Sequence, residues 1–295
     1  MKTTLFKGSG TAIITPFKNN GDINFDELEK LIEFQIKNQT DAIVACGTTG
    51  EAATMSTEEH LSVIEFIVNK VNGRIPVIAG TGSNDTKYSV ELSLEAKKLG
   101  ADALLLITPY YNKTSQQGLI DSFNYIVDNV KIPSIVYNVP TRTALNILPE
   151  TYYQLSKNPY IVAAKEANGD INSVIKTMSL CGDDLAFYSG DDIQTLPIVA
   201  LGGLGVISVF SNIYPQQMHD LVTFALDKNY DKAKEILFKY TDVMNALFTD
   251  VSPIPIKEAL NLIGFDCRKC RLPLTSMNET AKLKMVEVLK KHGAI

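Results

Sequence analysis

Short apolar, β-branched runs alternate along this chain with longer stretches in which apolar residues recur every three or four positions. The runs predict strands at 11–15, 42–46, 76–80, 103–108, 134–138, 161–165, 186–189 and 205–209. The stretches between them carry helix signals. Ser56-Thr57-Glu58-Glu59 reads as a capping box ahead of Leu61, Ile64, Ile67 and Val68. Asp26 opens a helix bearing Leu28, Leu31, Ile32 and Phe34, 85–99 ends at Gly100 as a C′ glycine, and another helix runs from Ser115 to about Val130. Strands that start roughly every 20–35 residues with helical crossovers imply parallel βαβ units. An open doubly wound sheet is the alternative. Eight strands over roughly two hundred residues fit a (β/α)8 TIM barrel better, and no Gly-x-Gly-x-x-Gly follows the first strand. Beyond Val209 the strand pattern stops, and 214–227, 230–248, 256–263 and 278–291 read as helices. The predicted organisation is an α/β barrel over 1–226 and a C-terminal helical extension over 227–295, with Ser252-Pro253-Ile254-Pro255 marking a bend.

Charge narrows the function classes. The net charge is −5, and lysines are interspersed with acids, as in Asp26-Glu27-Leu28-Glu29-Lys30. No basic patch suits nucleic acid, and an acidic surface does not favour anionic membranes. The first eight residues lack a signal-peptide apolar core, and no apolar run is long enough to span a bilayer, so a cytoplasmic protein is expected. Cys46, Cys181, Cys267 and Cys270 are expected to be reduced. Cys267-Arg268-Lys269-Cys270 has C-x-x-C spacing without a second pair or a nearby histidine. His60, His219 and His292 share no ligand spacing. No metal and no cofactor is predicted.

Candidate chemistry gathers at the predicted strand ends, where barrels of this type place reactive groups. Lys165 ends the run Tyr160-Ile161-Val162-Ala163-Ala164-Lys165. A lysine there either reaches back to water or is kept desolvated, which lowers its pKa and makes the amine a nucleophile. The second strand ends in Cys46-Gly47-Thr48-Thr49-Gly50-Glu51, whose hydroxyls and N–H groups suit a small carboxylate; a plain glycine turn is the alternative. Tyr110 and Tyr111 follow the fourth strand, either packing or relaying protons. Tyr137 and Arg142 follow from the fifth, the arginine either offering a bidentate fork to a carboxylate or standing solvated on its loop. The seventh supplies Tyr188-Ser189-Gly190-Asp191-Asp192 and the eighth Gly202-Gly203-Leu204-Gly205-Val206-Ile207-Ser208. Together these fit condensation of a lysine amine with a 2-oxo acid, giving an iminium that acidifies the adjacent methyl and yields an enamine.

Three segments are specific in combination: Gly47-Thr48-Thr49-Gly50-Glu51, Tyr137-Asn138-Val139-Pro140-Thr141-Arg142-Thr143 and Lys165-Glu166-Ala167. By them the chain closely resembles the dihydrodipicolinate synthase family, within the pyruvate-dependent lyase superfamily that includes N-acetylneuraminate lyase. The likeness runs from Gly10 to Leu274. It implies a lyase that condenses pyruvate with L-aspartate 4-semialdehyde to 4-hydroxy-tetrahydrodipicolinate, the first committed step toward diaminopimelate and lysine. It implies that Lys165 forms the Schiff base and that Tyr137 relays protons through Thr48 to Tyr111, with Tyr111 lent between subunits. Thr49, Ile207 and Gly190 would contact substrate, Arg142 would take the semialdehyde carboxylate, and the assembly would be a homotetramer built as a dimer of dimers. His60, Asn84 and Tyr110 match a lysine-inhibition pocket in which Thr57 and Tyr88 replace a histidine and a glutamate, so weak or absent inhibition by lysine is expected. Two alternatives stay open: another 2-oxo acid aldolase of the N-acetylneuraminate lyase kind, and a catalytically silent barrel that senses a 2-oxo acid.

Overall fold

In the computed structural model, which describes residues 2–295, eight parallel strands close into a barrel in chain order. They are β1 (Gly8–Ala12), β2 (Ala42–Ala45), β3 (Val77–Gly80), β4 (Ala103–Ile107), β5 (Ser134–Asn138), β6 (Ile161–Glu166), β7 (Ala186–Ser189) and β8 (Gly205–Ser208). The helices around them are α1 (Phe25–Lys37), α2 (Thr57–Val71), α3 (Thr86–Lys98), α4 (Gln116–Val130), the short α5 (Pro140–Thr143), α6 (Pro149–Leu155), α7 (Ile171–Cys181), α8 (Thr195–Ala200) and α9 (Pro215–Leu226). Three more follow: α10 (Tyr230–Ala246), α11 (Ile254–Leu262) and α12 (Glu279–Lys291). The predicted (β/α)8 barrel with C-terminal helices is the fold observed.

The local signals explain most of these boundaries. Ser56 and Glu59 exchange side-chain and backbone hydrogen bonds at the start of α2, which buries Val63, Ile64, Ile67 and Val71 on one face. Asp85 and Ser115 cap α3 and α4. Helix α1 begins at Phe25, with Asn24 rather than Asp26 at its head. Strand alternation divides the apolar residues into two cores. Ala42 and Val44, Ile135 and Tyr137, and Ile207 fill the barrel interior, while Ile43, Ala45, Val136 and Val206 meet the helices.

Strands β2 to β8 lie within a residue of their predicted places; β1 does not. It begins at Gly8 rather than Thr11: Gly8 holds φ +125° and a Cβ on it would stand 2.0 Å from Asp41 Oδ2, so glycine, a poor strand former, is what this position requires. A Cβ at Gly205 would stand 1.9 Å from the Gly8 carbonyl oxygen. The β1–β8 pairing therefore depends on two residues that propensity discounts.

The C-terminal region reaches back over the strand ends. Lys257 of α11 forms an ion pair with Glu51 at 2.6 Å, their side chains 2% and 0% exposed. Its ammonium stands 3.9 Å from the centroid of the Phe17 ring. The Arg271 backbone N–H donates to the same carboxylate (2.9 Å), and the Arg271 guanidinium pairs with Glu59. These bonds tie α11 and the segment after it to the loop following β2. Lys257→Met should lower the free energy of unfolding by about 3–5 kcal/mol, because it strands a buried carboxylate. Adding Glu51→Gln should recover most of that loss. Urea unfolding of the three proteins checks this, and a loss below about 1 kcal/mol, the range of exposed pairs, would sink it.

Candidate active site

The reactive groups stand where β5 and β6 meet. Lys165 is level with Tyr137 on one side and Tyr188 on the other. A register shift sets this level: Ser134 pairs with Ile161, but Ile135 pairs with Ala163. Val162 is thus an extra residue, and it and Ala163 both face the interior. Without it Tyr137 would stand beside Ala164, and Lys165 would point outward to the helices.

Lys165 is only 6% exposed, and its Nζ lies 4.2 Å from the centroid of the Tyr137 ring. Burial pulls the amine's pKa down to about 8; Asp192 opposes the fall and Arg142 adds to it. About a quarter of the amine is then neutral near pH 7.5, against roughly 0.1% for an ordinary lysine. Gly190 makes room for it, since a Cβ there would stand 3.2 Å from Lys165 Cε and 2.8 Å from the Ala167 side chain. The Gly190 N–H donates to the Glu166 carbonyl (2.7 Å), so β7 is held against β6 at this level. Burial pushes the Tyr137 phenol up to about 12, while Arg142 and the Thr48 hydroxyl work against the rise.

The loop after β2 turns tightly, with Gly50 N–H bonded to Gly47 O and Glu51 N–H to Thr48 O. Thr49 is buried. Thr48 lines a cavity of about 490 Å³ whose walls include Tyr137, Arg142, His60 and Tyr110. Arg142, on α5, donates through Nη2 to the Ser252 carbonyl (2.9 Å), so the C-terminal bend helps to aim it. Ile207 is buried in the barrel interior with Tyr137. The fold therefore brings Lys165, Tyr137, Thr48 and Arg142 into one connected set, with Gly190 and Ile207 beside it, while Thr49 is buried in the loop next to Thr48. Tyr111 is apart: it is 94% exposed and holds a left-handed backbone at φ +69°.

The other wall of the cavity holds His60, whose Nε2 lies 2.8 Å from Gly80 O and whose pKa is lowered by burial. Asn84 accepts at its carbonyl from Asn112 (2.8 Å). The Thr57 and Tyr88 hydroxyls are 3.0 Å apart and satisfy each other.

Sequence reasoning passed over three buried charges. Asp192 accepts from Ser208 Oγ (2.5 Å) and from the Phe210 N–H (2.9 Å), bracing the end of β8 beside Ile207. Burial raises its pKa to about 6. Nothing in the Asp191-Asp192 pair signalled which carboxylate is buried. Lys257 was legible as a lysine on the apolar face of α11, beside Ile254, Ile256 and Leu260. Glu166 falls just past the predicted sixth strand, and the structure extends that strand to include it. The C-x-x-C thiols carry no reactive signature, since burial pushes Cys267 and Cys270 each up to about 12. Among the described residues no group of three or more His, Cys, Asp or Glu is placed to hold a metal ion.

A desolvated lysine against a phenol, at the C-terminal mouth of a (β/α)8 barrel, defines the class of lysine-dependent lyases that work through a Schiff base. Within that class the chain belongs to the Dihydrodipicolinate synthetase family, whose profile matches residues 5–292. It is 53% identical to the 4-hydroxy-tetrahydrodipicolinate synthase of Caldicellulosiruptor saccharolyticus, over 97% of this chain and 96% of that one. The enzyme of the same name from Acetivibrio thermocellus is 52% identical over the full length of both. The solved dihydrodipicolinate synthase of Acinetobacter baumannii, chloride-inhibited and complexed with pyruvate, superposes with a TM-score of 0.97 at 42% identity, covering 99% of this chain and 100% of that one.

Proposed function

We propose that this chain condenses pyruvate with L-aspartate 4-semialdehyde to give 4-hydroxy-tetrahydrodipicolinate, opening the route to diaminopimelate and lysine. The observation that carries the reading is the buried Lys165 amine, with its pKa of about 8, against the Tyr137 ring. The neutral amine adds to C2 of pyruvate, and the carbinolamine loses water to an iminium. Loss of a C3 proton gives the enamine, whose carbon attacks the semialdehyde carbonyl. The amine of that substrate then adds to the imine carbon, closing the ring and releasing Lys165. Tyr137 gives and takes protons at these steps, relaying through Thr48 to Tyr111. Thr49, the Ile207 backbone and Gly190 hold pyruvate. Arg142 receives the semialdehyde carboxylate.

Tyr111 cannot serve its own chain's cavity from its exposed position, which supports a dimer in which each subunit lends this tyrosine to the other. The exposed apolar residues Ile175, Leu180, Ile193 and Leu201 on and beside α7 and α8 support pairing of such dimers into a homotetramer. No described helix is long and apolar enough to cross a membrane, and we place the enzyme in the cytoplasm. The barrel over 1–226 is the catalytic part and 227–295 its helical extension. The Thr57–Tyr88 hydroxyl pair offers no carboxylate to a lysine ammonium, which supports weak or absent inhibition by lysine.

Borohydride reduction in the presence of pyruvate should inactivate the protein and leave the adduct on Lys165; a label elsewhere, or none, overturns the reading. An acceptor panel separates the alternatives, with aspartate semialdehyde expected to outperform N-acetylmannosamine and glyceraldehyde by a wide margin. Arg142→Ala should lower kcat/KM for the semialdehyde roughly 10–150-fold, the equivalent of one charged hydrogen-bonding contact. Pyruvate trapping at Lys165 should survive that change. Unaltered semialdehyde kinetics in the variant would remove Arg142 from the acceptor site.

A further inference from the structure

A buried polar network lies behind the reacting pair and has no part in the chemistry above. On β5 and β6 the inward pair Tyr137–Lys165 is followed at once by the pair Asn138–Glu166, which faces the helices. Asn138 Nδ2 donates to both Glu166 oxygens (3.0 and 3.1 Å). The Tyr152 hydroxyl of α6 donates to Oε2 (2.8 Å), and the Asn168 N–H donates to Oε1 (2.9 Å). Every partner is a donor, which matches an ionised carboxylate, an acceptor only. The titratable groups around it are the Tyr152 phenol on α6, Cys181 of α7 beyond that phenol, and the Tyr137 phenol on β5. No lysine, arginine or histidine among the described residues forms an ion pair with it, so hydrogen bonds alone hold this anion out of water.

Asn138 extends the network to the acceptor side. Its Oδ1 accepts from the Ile147 N–H (3.1 Å), and its Nδ2 bonds Asn146 Oδ1 (2.7 Å). The loop that carries Arg142 therefore hangs from the same pair.

We propose that Glu166 is a positioning residue, whose carboxylate locks the ends of β5 and β6 and the 139–147 loop so that Tyr137, Lys165 and Arg142 keep one geometry. A slip of one residue would exchange the faces of β6, and the extra residue at Val162 loosens the pairing on the other side of the site. Asn138 and Glu166 pin the register immediately beyond Lys165. The inference rests on Lys165 and Tyr137 being the reacting pair. Burial raises the Glu166 pKa to about 7, so its protonation falls within the range where activity is measured.

Glu166→Gln tests the proposal, because it keeps the shape but turns a donor toward the Asn138 and Asn168 donors. We expect a folded protein with kcat lower by about 10²-fold, the cost of a misplacement near 1 Å, and with KM for both substrates little changed. In the unmodified protein the acid side of the kcat/KM profile should steepen from first to second order below about pH 7, as Glu166 protonation adds to that of Lys165. The variant should stay first order, a change that a merely structural role would not produce. Should Glu166→Gln fail to fold, Tyr152→Phe decides: it removes one donor, so the steepening should begin at higher pH. Wild-type kcat and wild-type steepness in a folded Glu166→Gln, or an unshifted onset of the steepening in Tyr152→Phe, overturn the proposal. Borohydride trapping of the unmodified protein keeps the two readings apart. An unlabelled Lys165 would bring down the Schiff-base reading, whereas a labelled Lys165 with indifferent variants would bring down the role of Glu166 alone.

Discussion

Lys165→Ala should lower kcat on the order of 10⁶-fold, the scale seen when a covalent nucleophile is removed, and should leave no adduct that borohydride can trap. That is about 8 kcal/mol of barrier. No other group replaces the amine, because the remaining neighbours of the site are phenols, hydroxyls, carboxylates, the His60 imidazole and a guanidinium, none of which forms an iminium with a carbonyl carbon at working pH. Lys165→Arg should fail as badly while keeping the positive charge and much of the bulk, which separates loss of the nucleophile from loss of packing. The pH dependence has a definite sign. The folded pKa lies below that of a free lysine, at about 8, so imine formation should rise with pH through about 8 and level off above it. An acid limb near the ordinary lysine value would show that the amine is not desolvated in solution.

Tyr137→Phe should cost about 10²–10⁴-fold in kcat, the range for loss of a general acid–base group, with KM for pyruvate nearly unchanged. The ring remains, so the packing of Lys165 Nζ over it at 4.2 Å remains. Only the proton carrier is removed. Burial holds the phenol at about 12, and Arg142 and Thr48 act to bring it down; an iminium at Lys165 would lower it further and make the proton available when the charge develops. The borohydride adduct should still form in this variant, but slowly. A kcat within about threefold of the unmodified protein, below the floor expected for general acid–base catalysis, would assign the proton transfers to another group.

Most of the candidate site is legible in the sequence. Lys165, Tyr137, Thr48, Arg142 and Ile207 fall at strand ends that alternation alone predicts, because in a closed parallel barrel every strand end opens on the same face. The first strand was misplaced for a reason of the same kind. Its first residue, Gly8, is held to glycine by a backbone at φ +125° and by the Asp41 side chain, a neighbour that only the closed fold supplies, whereas propensity describes residues close in sequence. Glu51 with Lys257, and Asp192 with Ser208, were invisible as pairs, because each is made across elements that only the closed fold brings together.

The chain's pattern of apolar runs, caps and turn residues thus determines a (β/α)8 barrel and which residue types stand at its mouth, since those are matters of period and local hydrogen bonding. Which way Lys165 points was decided by the tertiary structure. Six consecutive residues, Ile161 to Glu166, alternate the same way on paper in either register, and only pairing with β5 shows that Val162 is the extra one. That one residue turns a lysine bound for the helices into a desolvated amine beside Tyr137, because side-chain direction in a sheet has a period of two and a single insertion reverses it.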